Sequence, residues 1–361
     1  MLHITLLLYT TIAAMVKNMK SKTKKLSLND FGAYLGRDKG CLIIRDKERN
    51  EKRYPFFDNE IGEIFLRTGN SVSTGALVTC GFWNIDVIVS TGRGQPVAIL
   101  KSLSSDSNVK TRICQYESLK DDRCLKIAKT FLLSKLEGQD KLLKKYGLRR
   151  LDYALFEKIR NLENTDVHLA KNKLTNIEGL CASQYFEQVF GLFNPSVRPE
   201  GRTGYKAYDG INNLYNLAYK ALSWRIHVAL LKAHLEPYLG YLHEIAFGRP
   251  SLICDFMELY RYLMDDFILD YARNLKPSDF RLKDEIFSNN RKGKRQYLND
   301  KTQNEFFERA NLYFQTKVSV PRIRRGKTQE IETLINEEAY LFAKYLRGER
   351  STWIPRIAEL K

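Results

Sequence analysis

The sequence predicts an α+β protein, with a small β-rich N-terminal domain (26–104) followed by a larger all-α C-terminal domain (105–361). Three observations carry that prediction. From Leu26 to about Leu100, short apolar or alternating runs are separated by turn residues, the signature of strands. From about Asp106 onward the apolar spacing changes to a period of 3.6 and stays there. The chain has 361 residues, 43% of them hydrophobic, which at ~150 residues per domain fits two domains, or three small ones, and excludes disorder over most of its length.

Residues 1–16 (MLHITLLLYTTIAAMV) are apolar but carry no basic leader and fall short of the ~18 apolar residues of a membrane span. A basic, polar run (KNMKSKTKK, 17–25) follows, and Met15 and Met19 are candidate starts. Residues 1–25 are therefore expected to be an extension, disordered or not translated. No other segment is apolar enough to span a bilayer, so a cytoplasmic protein without a membrane partner is expected.

Within the β-rich domain FGAYLG (31–36) alternates apolar and small residues, DKG (38–40) is a turn, and CLIIR (41–45) is a strand. The turn DKERN precedes KRYPFF and EIFLRTGN, which carry further strand signals. STGALVTCGFWN (73–84) reads as a short helix and IDVIVS (85–90) as a buried strand. The TGRGQP turn and VAIL (97–100) close the domain. Beyond it, helices are predicted over 107–136, 139–160, 176–193, 210–234, 251–275, 300–316 and 327–347. Gly and Pro fall between them, as in GLFNPSVRPEGRTG (191–204) and FGRP (247–250).

Lys and Arg number 59 against 42 Asp and Glu, a net charge of +17. Such an excess favours a polyanionic partner, the alternative being an unspecific solvated surface. The six cysteines are scattered without a CxxC pair, which argues against a zinc site and against a secreted disulfide framework. Two basic clusters, RKGKR (Arg291, Lys292, Lys294, Arg295) and RIRRGK (Arg322, Arg324, Arg325), fall in predicted connections. Each is either a solvated loop or a set of phosphate contacts.

Four residues of the helical half have the chemistry of a metal site. Glu178 lies on a predicted helix whose next positions on the same face are Ala182, Tyr185 and Val189. A half-buried acid there needs compensation, from a bound cation or from a Lys or Arg partner. Gly179 beside it leaves room for a phosphate. His243 ends PYLGYLH in a connection between helices. Asp255 and Glu258, three residues apart near the start of the next helix, share a side of it; the helix dipole is their alternative explanation. Carboxylates with one imidazole suit Mg²⁺ or Mn²⁺ better than zinc. Such an ion stabilises charge on a phosphodiester and activates water or a 3′-hydroxyl.

At these residues the sequence resembles the family of CRISPR-associated protein one. The family's Glu-Gly pair with a downstream Tyr-Phe is matched by Glu178, Gly179, Tyr185 and Phe186. Its D-x-x-N-x-x-x-N-x-x-Y segment is matched by Asp209, Asn212, Asn216 and Tyr219. Its P-x-x-G-[FY]-L-H segment is matched by Pro237, Gly240, Tyr241, Leu242 and His243. Its R-P-S-L-x-x-D-x-x-E-x-x-R segment is matched by Arg249, Pro250, Ser251, Leu252, Asp255, Glu258 and Arg261. The likeness covers roughly residues 26–350.

The resemblance implies a β-rich dimerisation domain before an α-helical catalytic domain. It implies Glu178, His243 and Glu258 as metal ligands for Mg²⁺ or Mn²⁺, with Asp255 as a supporting catalytic acid. It implies cleavage of double-stranded DNA and integration, in which a prespacer 3′-hydroxyl attacks a phosphodiester of the CRISPR repeat. It also implies a homodimer and a complex with CRISPR-associated protein two. Tyr205, Asn212, Asn216 and Arg261 are candidates to line the DNA path, or else polar groups of helix packing. Two other readings stay open. One is a metal-dependent nuclease on branched DNA or RNA in repair; the other is a non-catalytic DNA-binding scaffold whose acids only form ion pairs.

Overall fold

The computed structural model describes residues 24–55, 61–102, 108–163, 167–204, 207–286, 292–320 and 328–360. The expectations for residues 1–23 and for Tyr205, Arg291, Arg322, Arg324 and Arg325 lie outside the described residues. The chain divides into two compact units between Asp106 and Ser107.

Among the described residues, the first unit holds two four-stranded sheets and one helix. Strand β1 (Lys24–Leu28) pairs parallel with β5 (Ile61–Arg67), β5 parallel with β7 (Asp86–Ser90), and β7 antiparallel with β8 (Pro96–Leu100). The second sheet runs β4 (Glu51–Pro55), β3 (Cys41–Arg45), β2 (Tyr34–Asp38) and β6 (Ser71–Val72). Helix α1 (Thr74–Phe82) starts where the Ser73 hydroxyl accepts from the Ala76 amide at 3.2 Å, satisfying one of the amides left open at a helix start. Its Ala76 and Cys80 join Leu26, Leu35, Leu42, Ile64, Leu66 and Val87 in one small core. In CLIIR and IDVIVS adjacent residues are buried together, Leu42 with Ile43 and Val87 with Ile88, so each strand is covered on both faces there.

The second unit is mostly helical, with α2 (Asn108–Ser118), α3 (Arg123–Lys145), α4 (Tyr153–Arg160), α5 (Val167–Phe190), α6 (Gly210–Lys232), α7 (Ser251–Glu258), α8 (Arg261–Ala272), α9 (Asp300–Phe314) and α10 (Ile331–Leu346). Helix α3 packs on α5 and α8, and α6 packs on α7, α8 and α10. Their shared core includes Phe131, Leu132, Tyr185, Tyr215, Leu222, Phe256 and Phe342. No helix among the described residues is long and apolar enough to cross a membrane.

Several expected helices change shape. The predicted helix 107–136 is two: the first ends at Ser118 and the next starts at Arg123, whose amide donates to the Asp121 carboxylate at 2.8 Å. Helix α3 continues through 139–145 and stops at Gly147, which holds φ +66°, a conformation costly for other residues. The predicted helix 251–275 breaks at Leu259 and Tyr260, whose amides bond carbonyls three residues back. Residues 328–330, assigned to a helix from the sequence, form β12 (Thr328–Glu330), paired with β11 (Lys317–Ser319).

The C-terminal half is also not all helical. Strands β9 (Phe280–Ile286) and β10 (Lys292–Leu298) form an antiparallel hairpin. Their sequences, FRLKDEI and KGKRQYL, are so polar that apolar periodicity gives no strand signal. The hairpin is anchored at its base, where Phe280 and Leu298 are buried and the Asn213 amide group donates to the Gln296 carbonyl at 2.7 Å. Gly210 is required there, since a Cβ would stand 2.2 Å from the Phe280 ring. Residues 292–295, expected in a connection, therefore lie in a strand. Arg295 is buried against Glu285 at 2.9 Å rather than presented by a loop.

Candidate active site

The site is built by the loop after α6 lying down on the start of α7. The Leu252 amide donates to the Pro237 carbonyl at 3.0 Å, and the Ser251 hydroxyl to the Glu244 carbonyl at 2.6 Å. Gly240 makes the approach possible, because a Cβ there would stand 2.6 Å from Ser251 Cβ and 2.8 Å from its carbonyl carbon. Asp255, fully buried on α7, fastens the loop. Its carboxylate accepts from the amides of Tyr241 at 2.5 Å, Leu242 at 3.1 Å and His243 at 2.9 Å, and pairs with His243 Nδ1 at 2.7 Å. Both oxygens are engaged.

The consequence for His243 is chemical. With its two oxygens facing backbone donors, Asp255 is an acceptor, so the Nδ1 that meets it carries the proton. The lone pair is then on Nε2, which points toward Glu258 Oε1 at 3.9 Å. The pairing of an acid with the far nitrogen of an imidazole fixes both its tautomer and its orientation.

Glu258 is the last residue of α7, with 2% of its side chain exposed. The helix dipole disfavours an acid at that end, so the dipole does not explain it. Instead Lys135 Nζ stands 2.9 Å from Oε2, and the Arg261 guanidinium, in the first turn of α8, stands 3.0 Å from Oε1. Burial alone would raise the Glu258 carboxyl, but Arg261, Lys135 and His243 outweigh it and hold the group down at about 2. It is therefore ionised at neutral pH. Its Oε2 is buried, and the contact with Lys135 has the distance of an ion pair but no directed hydrogen bond.

Glu178 reaches the same ammonium from α5, its Oε1 bonded to Lys135 Nζ. Both readings of Glu178 thus meet at one point, a salt bridge to a lysine inside a cluster suited to a cation. Its neighbour Gly179 faces open space. Glu178 lines two cavities. One of about 650 Å³ is lined also by Lys135, Gln139, Gly179, Arg202 and Arg261. The other, of about 300 Å³, is lined by Lys171, Asn172, His243, Arg249 and Glu258. Cationic side chains thus flank the acids on both sides.

Behind the first cavity stands a buried polar layer. Asp265 accepts from the hydroxyls of Tyr219 at 2.6 Å and Tyr185 at 2.7 Å. Burial raises its carboxyl to about 6 although both hydroxyls act in the opposite direction. Arg202 stacks near the rings of Phe186, Tyr215 and Tyr219 and donates to Asn212 Oδ1 at 3.0 Å and Asn216 Oδ1 at 2.8 Å. The two asparagines therefore serve to place Arg202, and Asn212 is fully buried. Arg261 lies 4.7 Å over the Tyr219 ring.

Among the described residues no three of His, Cys, Asp or Glu already stand at the spacing of a metal shell. The donors nonetheless fit a divalent cation. Two carboxylates converge on one positive charge, one carboxylate oxygen there lacks a directed bond, and His243 Nε2 stands 3.9 Å from the other oxygen of Glu258. Lys135 and Arg202 were not singled out from the sequence. For Lys135 a signal existed: in FLLSKLEGQ it falls on the inward stripe of α3 with Phe131, Leu132, Leu136 and Gln139, all buried.

Comparison with known proteins bears on this geometry. The family model described as CRISPR associated protein Cas1 matches residues 26–307. The chain is 31% identical over 252 residues to a CRISPR-associated endonuclease Cas1 of Pyrobaculum aerophilum, a match spanning 68% of this chain and 82% of that one. A casposase bound to an integration product superposes with a TM-score of 0.67 at 20% identity, over 94% of this chain and 95% of its own. A chain of a partial Cas6-RT-Cas1–Cas2 complex superposes with a TM-score of 0.68 at 18% identity, over 94% and 100%. The two solved structures share the fold.

Proposed function

The chain belongs to the Cas1 family of CRISPR-associated proteins, and on that premise we propose that it is a metal-dependent DNA endonuclease and integrase of spacer acquisition. Its reaction joins prespacer 3′-hydroxyls to the CRISPR repeat by transesterification. Glu178, His243 and Glu258 hold Mg²⁺ or Mn²⁺, and Asp255 positions His243. The observation that carries this reading is the convergence of Glu178 and Glu258 on one cation, with the His243 lone pair turned toward Glu258.

A divalent ion held there supplies positive charge against a phosphodiester oxygen and lowers the pKa of a bound hydroxyl or water. The protein's own groups do the rest. Glu258, ionised because Arg261 and Lys135 hold it so, presents a permanent negative charge for the ion. Asp255 keeps the His243 lone pair on the site side, where it is available to bind the ion. Lys135, Arg202 and Arg261 line the larger cavity and Lys171 and Arg249 the smaller, so two strands meeting at Glu178 each find cationic partners for their phosphates.

The partners proposed are duplex DNA, a second copy of this chain and a Cas2 protein, acting together in the cytoplasm. The integration product bound by the casposase and the Cas1–Cas2 assembly of the other structural neighbour support this choice.

A plasmid integration assay tests the reading. The protein, with and without its Cas2 partner, is given a short duplex with free 3′-hydroxyls, supercoiled plasmid carrying a repeat, and Mn²⁺ or Mg²⁺. Joined products that require metal and disappear in Glu178→Ala, His243→Ala and Glu258→Ala are expected. Metal-dependent cutting without joining would favour a repair nuclease, and a folded protein without metal-dependent chemistry would leave only a DNA-binding scaffold.

A further inference from the structure

Lys135 stands where the proposed metal belongs. Its side chain is 6% exposed, and its ammonium touches Glu178 and lies 2.9 Å from Glu258. The three residues come from three helices, α3, α5 and α7. A buried ammonium between two carboxylates makes those three charges sum to minus one, and Arg261 on Glu258 brings the group to neutrality. A divalent ion added to that neutral group would face both cations at close range with no acid left uncommitted. The two acids cannot satisfy the ammonium and the ion together.

We infer that Lys135 is a tethered counter-cation that competes with the divalent metal for Glu178 and Glu258 and is released into the adjoining cavity when metal binds. The inference rests on the reading of Glu178, His243 and Glu258 as metal ligands. A second observation gives the released ammonium somewhere to go. Gln139, one helical turn further along α3, lines the same cavity of about 650 Å³. Its side-chain carbonyl oxygen is buried without a hydrogen-bond partner. Residues at i and i+4 share a helix face, so the flexible four-carbon stem of Lys135 carries its ammonium toward that acceptor without moving the backbone. The released charge stays in the cavity, alongside Arg202 and Arg261. Lys135 thus keeps the acids together and neutralised before metal arrives, and afterwards adds a donor for a substrate phosphate.

Metal binding itself reads this out, without DNA and without turnover. Free Mn²⁺ is measured by room-temperature electron paramagnetic resonance during titration of the full-length wild type, Lys135→Met and Glu258→Ala. If the lysine-closed form holds about nine molecules in ten, its removal tightens the apparent affinity by about 10-fold. Lys135→Met is therefore expected to bind Mn²⁺ at least ~10-fold more tightly than wild type, and Glu258→Ala to lose the site. Lys135→Gln, shorter and polar, replaces the Met variant if that one does not fold. Equal or weaker Mn²⁺ binding by the folded lysine variant, with wild type binding normally, overturns the inference alone. No Glu258-dependent Mn²⁺ binding in any of the proteins overturns both it and the metal reading.

Discussion

Replacing Asp255 by asparagine changes little volume and tests how the site is held. The native carboxylate accepts from three backbone amides and one imidazole N–H, all at the loop that carries His243. An asparagine presents one carbonyl oxygen and one NH₂ group. Whichever way it turns, its NH₂ faces donors, either the amides of Tyr241 and Leu242 or the amide and ring of His243. A buried donor left unsatisfied costs about 1–3 kcal/mol, and bonds to a charged acceptor lie toward the upper end. Two lost donors therefore cost about 3 kcal/mol, softened by some relaxation of the loop. For a unit of this size that lowers the melting temperature by about 6–12 °C. If the NH₂ meets His243, it also donates to Nδ1 and moves the ring proton to Nε2, removing the lone pair proposed for metal. Loss of such an orienting partner costs about 10–100-fold in metal affinity. Thermal melts with and without Mn²⁺, beside a metal titration, measure both. An Asp255→Asn protein within about 1 kcal/mol of wild type that binds Mn²⁺ equally well would refute the role given to Asp255.

Other perturbations test the surroundings. The Asp265 carboxyl is raised to about 6 in the folded protein from an ordinary value of 3.8. The folded state therefore holds the proton more tightly, and the group's contribution is fully present below pH 4 and is lost as pH rises toward 6. Asp265→Asn, which keeps an acceptor for a tyrosine hydroxyl, should gain about 2–3 kcal/mol relative to wild type between pH 4 and pH 7 in urea melts. Glu258 works in the opposite sense: held at about 2, it contributes stability above its unfolded value of 4.5 that is lost as pH falls from there toward 2. Below pH 4 the stability gap between wild type and Glu258→Gln should narrow in the same melts. Gly240→Ala drives a methyl into Ser251, and the cost of about 1–3 kcal/mol should appear as a lower melting temperature with a larger loss of joining activity. Arg202→Ala removes a cation stacked near three rings and two asparagine bonds. It should reduce stability by about 1–3 kcal/mol and flatten the salt dependence of DNA binding, read by fluorescence anisotropy.

The residues that the structure gathers were readable where their spacing is tied to rigid geometry. Asp255 and Glu258, three apart on a helix, fall on one side whatever the packing. PYLGYLH advertised a loop by its Pro and Gly, and Gly240 turns out to be the residue that lets that loop touch α7. The break between α7 and α8 was not readable, because the apolar periodicity runs through Leu259 and Tyr260 without a Gly or Pro. That break makes Glu258 a helix terminus. The hairpin over 280–298 was hidden by its charge: pairs such as Arg295 with Glu285 and Tyr297 with Glu285 replace the apolar alternation that betrays a strand. Lys135 was overlooked because a lysine in a helix is ordinarily solvated. Only its place on the apolar stripe of α3 marked it, and only the folding of α3 against α5 brings it to Glu178.

The central claim is that Glu178, His243 and Glu258 hold one divalent ion. Crystals of the protein grown with Mn²⁺, with diffraction recorded at the manganese absorption edge, test it most directly. The account predicts one anomalous peak within bonding distance of a Glu178 oxygen, His243 Nε2 and a Glu258 oxygen, with the Lys135 ammonium moved away from between the acids. No peak there, with the ammonium still paired to both carboxylates at saturating Mn²⁺, would contradict it.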